Sequence, residues 1–253
     1  MANILITGAG GTIGREVAKH LSKKHYLTLV DVDFSEFPKV PEELEEHFIF
    51  HETDLTKQAN WENLLNGIDY VIQLAADPSP EAEFYESLLE LNYKLPYNLF
   101  AAAKQAPDLK RIIFASSIHA VDAYPEGTQV KTSDPVRPND LYGVSKVYLE
   151  GLAAHFAYSY GVESIGIRIG DYKATDTELP NRPGPQGFAT YLSRRDLNQL
   201  IDRCLEAKLK EPFLLVNGLS DNTFNRLDIE QAKVLLDYAP QDNAFEKREF
   251  EEE

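Results

Sequence analysis

Tyr142 and Lys146 stand four residues apart in the run Tyr142-Gly143-Val144-Ser145-Lys146, with Ser116-Ser117 earlier in the chain. On a helix, residues i and i+4 share a face. A free tyrosine hydroxyl has a pKa of about 10, too high for a base at neutral pH. An ammonium held beside it stabilises the phenolate and lowers that value. Tyr142 can then remove a hydroxyl proton while hydride leaves the same carbon for a nicotinamide ring. Ser117, at the end of a strand, can hydrogen-bond the reacting oxygen. The spacing alone also fits a tyrosine and a lysine on the solvent face of an amphipathic helix. A second motif decides between the two.

That motif is Thr7-Gly8-Ala9-Gly10-Gly11-Thr12-Ile13-Gly14, a G-x-x-G-x-x-G series between an apolar strand and a helix. In this context Gly8 permits a tight turn, Gly11 lets a pyrophosphate approach the backbone, and Gly14 lets the helix pack on the strand. Thr12 and Ile13 open the helix, whose first N–H groups face phosphate charge. The bland alternative is a glycine-rich turn that binds nothing. Asp31 ends the next strand, 17 residues after Gly14. Its carboxylate can accept hydrogen bonds from the adenosine ribose, and it repels the additional phosphate of NADP. Neither Val32 nor Asp33 supplies a compensating arginine, so the expected cofactor is NAD. Asp54-Leu55 ends the third strand, where it can flank the adenine; Asp54 can equally cap a helix.

The elements that must place these motifs alternate between strand and helix. Strands are expected at 3–7, 27–30, 47–53, 70–74, 111–115 and 163–169, with Phe48 and Phe50 sharing one face of the third. Helices are expected at 13–21, 61–65, 81–104 and 140–160. Pro96 should disturb the third helix, and Val144, Tyr148 and Leu152 form an apolar stripe on the fourth. Such alternation predicts an α/β fold, a doubly wound parallel sheet of the Rossmann type. After Gly170 the pattern changes. Pro180, Pro183, Gly184, Pro185 and Gly187 crowd a loop. A helix at 196–206, a strand at 213–216 and a helix at 229–236 follow. The chain is thus expected to be one structural unit, with a dinucleotide-binding domain over 1–170 and a small substrate lobe over 171–253 packed on it. The charge-rich end, 246–253, should fray.

The 253 residues are 43% hydrophobic, enough for a sizeable core. A net charge of -16 argues against a nucleic-acid surface and fits plain solubility. A single cysteine, Cys204, excludes a disulfide within the chain and reads as a core residue. The histidines are scattered without metal-ligand spacing, so no metal is expected. No apolar run reaches membrane-spanning length, and the start of the chain lacks the basic region of a signal peptide. The expected location is the cytoplasm.

In the order and type of its motifs, 3–170 resembles the extended short-chain dehydrogenase/reductase superfamily, home of NAD-dependent epimerases and dehydratases. The shared series is the glycine turn, Asp31, Asp54-Leu55, Leu74-Ala75-Ala76, Asn92, Ser116-Ser117 and Tyr142-x-x-x-Lys146. The resemblance implies a catalytic triad of Ser117, Tyr142 and Lys146, with Lys146 also holding the nicotinamide ribose. It implies that Leu74, Ala75 and Ala76 line the cofactor and that Asn92 belongs to the helix behind the site. Ser116-Ser117-Ile118-His119, Ile167-Arg168-Ile169-Gly170, Ala189-Thr190-Tyr191-Leu192-Ser193 and Pro240-Gln241-Asp242 are more narrowly similar to uronate dehydrogenases and related NAD-dependent sugar dehydrogenases. Those enzymes oxidise the anomeric hydroxyl of a pyranose to a lactone.

By the same likeness, Ser79, Ser117, Ile118, His119 and Gln186 are the candidate sugar contacts. Two of these positions depart from the family. Ile118 stands where the family carries asparagine. Gln186 matches an arginine that meets the substrate carboxylate, and an amide cannot make that bidentate charged pair. Arg182 is near enough in sequence to substitute. Arg168 is expected to pair with a carboxylate inside the fold, Tyr191 to pack at the lobe boundary, and Tyr124 and Tyr172 to be pocket wall or core. The family often dimerises through two helices, here 81–104 and 140–160, so a homo-oligomer is expected.

Three functions fit this pattern. The first is an NAD-dependent sugar dehydrogenase. The second is an NAD-retaining sugar epimerase, in which the same triad oxidises transiently and returns the hydride. Ile118-His119 offers no acidic pair beside Ser117, which disfavours a dehydratase. The third is a non-enzymatic dinucleotide sensor, whose usual sign is a damaged triad.

Overall fold

Short runs rich in Ile, Leu and Val become strands buried on both faces, as a parallel sheet between helical layers requires. The computed structural model describes residues 1–246 apart from 176, 177, 179 and 183. Pro183 and the tail beyond 246 therefore lie outside the described residues. The strands are β1 (Asn3–Thr7), β2 (Tyr26–Asp31), β3 (Phe48–Glu52), β4 (Tyr70–Gln73), β5 (Arg111–Ser117), β6 (Ser164–Ile169), β7 (Asp171–Lys173), β8 (Tyr191–Ser193) and β9 (Phe213–Gly218). Among the described residues, seven form one sheet in the order β3-β2-β1-β4-β5-β6-β9, and every neighbouring pair is parallel. This is the expected doubly wound Rossmann-like sheet. Its strand order reverses between β1 and β4, and ligands collect at the carboxyl ends there.

Two apolar layers hold helices to the sheet. On one face α1 (Thr12–Leu21), α5 (Arg194–Glu206) and α6 (Glu230–Leu236) pack over Ile4, Ile6, Leu29 and Ile165. On the other, α2 (Leu95–Ala103) and α3 (Leu141–Tyr160) pack over Leu5, Val71, Ile112 and Phe114. Asp140 caps α3 by accepting the Gly143 N–H at 2.6 Å, and Gly161, at φ 74°, ends it in the left-handed region. Ser193 caps α5 through the Asp196 N–H. Among the described residues no helix is long and apolar enough to cross a membrane.

Several elements differ from expectation. The helix expected at 61–65 is a 3-10 turn, Gln58–Trp61, and Asn63 at φ 64° prevents its extension. The helix expected at 81–104 opens as a π-helix, Phe84–Lys94, and continues as α2. The Leu95 N–H reaches the Glu90 carbonyl five residues back. Pro96 then falls in the first turn of α2, just past the junction with the π-helix. Of the stripe Val144, Tyr148 and Leu152, Val144 is 41% exposed, Tyr148 is half-buried against Tyr93, and Leu152 packs at the edge of the core. The buried face of α3 instead carries Ser145, Lys146, Leu149, Ala153 and Phe156, and its small members Gly143, Ser145, Ala153 and Ala157 let the helix lie close to the sheet.

The segment 171–253 is less of a lobe than its position suggests. Its strand β9 pairs with β6 at the sheet edge, from Ser164↔Phe213 to Ile169↔Gly218. Its helix α5 packs on the same core as α1. The two-stranded sheet β7-β8 and the short α4 (Gly184–Phe188) are the pieces separate from the main sheet. Tyr191 packs there with Phe188 and Ala244.

One buried ion pair ties α3 to the sheet. Glu150 on α3 accepts the Ser116 hydroxyl at 2.6 Å and two nitrogens of Arg168 at 2.8 Å. Arg168, on β6, is 1% exposed. Glu150→Ala should destabilise the fold by about 3–5 kcal/mol, because it strands a buried guanidinium. Glu150→Leu combined with Arg168→Met should recover most of that loss. Denaturant unfolding of the three proteins measures it.

Candidate active site

The carboxyl ends of the central strands open into a cleft of about 880 Å³, within the range of small-ligand sites. Gly8, Gly10, Gly11, Thr12, Ile13 and Gly14 line it, together with Asp31, Asp54, Leu55, Leu74, Ala75 and Ala76. Ser117, Ile118, His119, Tyr142 and Lys146 line it too. Motifs far apart in the chain thus share one cavity.

The glycine turn has the form a dinucleotide needs. A Cβ at Gly14 would lie 2.2 Å from the Gly8 carbonyl oxygen, so α1 can follow β1 this tightly only with glycine there. Gly11 is the N-cap of α1, and no side chain caps that helix. Its first N–H groups are left to meet an anion. Asp31 holds the N–H of Gly10 at 2.8 Å and that of Val32 at 2.7 Å. Its carboxylate keeps further lone pairs for ribose hydroxyls. These donors and acceptors fit NAD.

Other positions support the cleft from behind. Asp54 caps its own turn through the N–H and hydroxyl of Thr56. The Thr56 hydroxyl is the main reason its carboxyl titrates below the usual range. Asn92 does not line the cleft. Its amide bonds both backbone groups of Asp77 and the Ser145 hydroxyl, so it joins the loop after β4 to α3. Thr7, missed in the sequence, is fully buried, and its hydroxyl accepts the N–H groups of Leu74 and Ala75. Threonine at the end of a strand carries no distinguishing signal.

At the other group of residues, β5 runs two positions past its expected end, so Ser116 and Ser117 belong to the strand. Ser117 hydrogen-bonds Tyr142 and accepts the His119 N–H at 3.2 Å. Lys146 donates to the Ala115 carbonyl at 3.0 Å and lies 5.3 Å from the centre of the Tyr142 ring. Burial pushes the Tyr142 hydroxyl up to about 12, against the pull of the Ser117 hydrogen bond. Burial also brings Lys146 down to about 8. His119 bonds Asp140 through Nδ1 at 2.6 Å, and its ring meets Tyr142 edge-on at 5.4 Å. Asp140, expected inside the helix, is its N-cap and fixes both His119 and the start of α3.

The expected sugar contacts are dispersed. Ile118 lines the cleft but packs into a small apolar cluster with Val121, Val130 and Leu219. Ser79 does not line the cleft. Its hydroxyl accepts the Glu81 N–H in a turn. Gln186 also lies outside the lining and bonds Glu126. Arg182 does line it, paired with Asp122 at 2.7 Å. Tyr172 is a wall residue, whereas Tyr124 bonds the Pro135 carbonyl and stacks under Arg137.

Known proteins share this arrangement. The family model of the NAD dependent epimerase/dehydratase family matches residues 4–224. An NAD-dependent glucose-6-phosphate dehydrogenase of Haloferax volcanii is 32% identical, covering 96% of this chain and 94% of its own. A uronate dehydrogenase of Pseudomonas syringae pv. tomato is 30% identical, covering 95% and 82%. Among solved structures, a mutant uronate dehydrogenase from Agrobacterium tumefaciens complexed with NAD superposes with a TM-score of 0.84 at 29% identity, covering 97% and 87%. A match across this much of the chain, on a cleft shaped for a dinucleotide, places the protein in the NAD-dependent epimerase/dehydratase family, with NAD as its cofactor.

Proposed function

We propose that the chain is an NAD-dependent sugar dehydrogenase, oxidising the anomeric hydroxyl of an aldose or a sugar acid to a lactone. The observation that carries this reading is the grouping of Ser117, Tyr142 and Lys146 in the same cleft as the glycine turn. The similar proteins that span nearly the whole chain, named as dehydrogenases of sugars and uronates, support it.

NAD, when bound, supplies the acceptor for hydride. The protein handles the proton and the oxygen. Ser117 donates a hydrogen bond to the reacting hydroxyl oxygen and orients it. The Tyr142 phenolate takes the hydroxyl proton as the carbon–hydrogen pair departs and the carbonyl forms. The phenolate is costly in this buried setting, since burial raises the hydroxyl to about 12. The Lys146 ammonium offsets that cost, and at about 8 it remains largely charged at neutral pH.

Keeping Lys146 charged in the fold is itself expensive. A fall from 10.5 to about 8 corresponds to a burial cost on the order of 3 kcal/mol. Below the folded value the lysine is protonated in both states, and the cost is fully present. Between the two values the unfolded chain binds more protons, so stability rises with pH. Above 10.5 the cost is gone.

A homodimer completes the proposal. The π-helix, α2 and α3 pack side by side, with the rings of Tyr93 and Tyr148 tilted against each other at 4.7 Å. Tyr85 (87% exposed), Tyr97 and Val144 stand out from these helices. A second copy of the chain is the proposed cover.

The leading test follows NADH formation from NAD with a panel of neutral aldoses, uronates and sugar phosphates. At least one should react, and Tyr142→Phe should cut the rate by about 10²–10⁴-fold while NAD still binds. Product isomers without net NADH would point to the epimerase instead. Lys146→Met should be inactive yet more stable than the natural chain near neutral pH. That advantage should shrink as pH rises from about 8 to 10.5, read by chemical unfolding across the range. Sedimentation at micromolar concentration should give twice the mass of the chain. A monomer alone would refute the dimer.

A further inference from the structure

Taking the dehydrogenase reading as its basis, we propose that the sugar end of the cleft is built for an uncharged aldose, and that the Asp122–Arg182 pair selects against uronates and sugar phosphates.

The basic groups around the sugar end already have partners. Among the described residues lining the cleft, the basic side chains are Lys146, Arg182 and His119. Lys146 is buried beside Tyr142. His119 is bonded to Asp140. Arg182 donates to Asp122 at 2.7 Å, and the Asp122 side chain is only 5% exposed against 59% for the arginine. A second lining acid, Asp171, is engaged by Lys173 at 2.8 Å and by the Asn181 N–H. Arg182 and His119 thus each have a carboxylate partner, while Lys146 is turned to Tyr142 and the Ala115 carbonyl.

An anionic substrate would compete with Asp122 for Arg182 and place a second anion beside a carboxylate whose side chain is only 5% exposed, and both effects cost free energy. An uncharged sugar makes no such demand. Its hydroxyls can accept from the remaining guanidinium N–H groups and donate to open lone pairs on Asp122. Two further features agree. Gln186, aligned with an arginine that grips a carboxylate in similar enzymes, is turned to Glu126 outside the lining. Ile118 offers no amide to a charged group.

The test compares kcat/KM for arabinose, galactose and glucose with that for galacturonate, glucuronate and glucose 6-phosphate. The best neutral sugar should exceed the best charged one by more than about tenfold. Asp122→Asn keeps the shape and removes the charge, so it should release Arg182 and lower that ratio by at least about tenfold. Arg182→Gln alters an exposed side chain and should weaken turnover of neutral sugars severalfold, with no selective loss on charged ones. A natural preference for uronates or phosphates would overturn the proposal while leaving the dehydrogenase standing. So would an Arg182→Gln loss confined to charged sugars. Silence on the whole panel with NAD bound would overturn both readings together.

Discussion

The first turn of α3 lies so close to the turn at 118–120 that a Cβ at Gly143 would sit 2.3 Å from the His119 carbonyl oxygen. That approach sets the positions of the reacting side chains. It brings Tyr142 within reach of Ser117, and Lys146, one turn later, under the end of β5. Asp140 holds the approach from one side through its cap on Gly143 and its bond to His119. Glu150 holds it from the other through Arg168 and Ser116. Between these two clamps the helix has little freedom to slide, as the proposed proton acceptor would require.

The same closeness creates the chemical tension of the site. Tyr142 and Lys146 are each in an unfavourable charge state when considered alone. Burial resists the phenolate and resists the ammonium. In the proposed dehydrogenase, forming both together would let each lower the other's cost, so that proton removal and charge stabilisation become one event. A site that favoured either ion alone would lose this coupling. The protein accepts lower stability around Lys146 in return, the familiar exchange between stability and activity.

Much of the fold is legible in the sequence because its signals are local. The apolar runs of β1, β4 and β6 and the glycine turn act within a few residues of themselves. What stays hidden depends on distant partners. β9 looks like part of a lobe until it pairs with β6, about fifty residues away. The stripe of Val144 and Tyr148 is as periodic as the buried face of α3, and periodicity cannot say which face meets the sheet. The π-helix has no established local signature, though Asn92 and Pro96 both depend on it. In the cleft, Ser117, Tyr142 and Lys146 are identifiable by type and spacing. The pairing of Asp122 with Arg182, 60 residues apart, and the turning of Gln186 toward Glu126 are visible only after folding.

The last stretch of the chain has a role its composition hides. Asp196, in the first turn of α5, accepts the backbone N–H groups of Gln241 and Asp242. Asp242 in turn accepts the Ser193 hydroxyl and pairs with Arg195. The start of α5 is therefore fastened by residues synthesised more than forty positions after it. During synthesis on a ribosome, the glycine turn and its strands can come together early. The sheet, however, stays one strand short until β9 emerges, and the junction of β8 with α5 stays unclipped until Asp242 is free. The glycine turn is thus in place in the chain long before the residues that fasten β8 to α5.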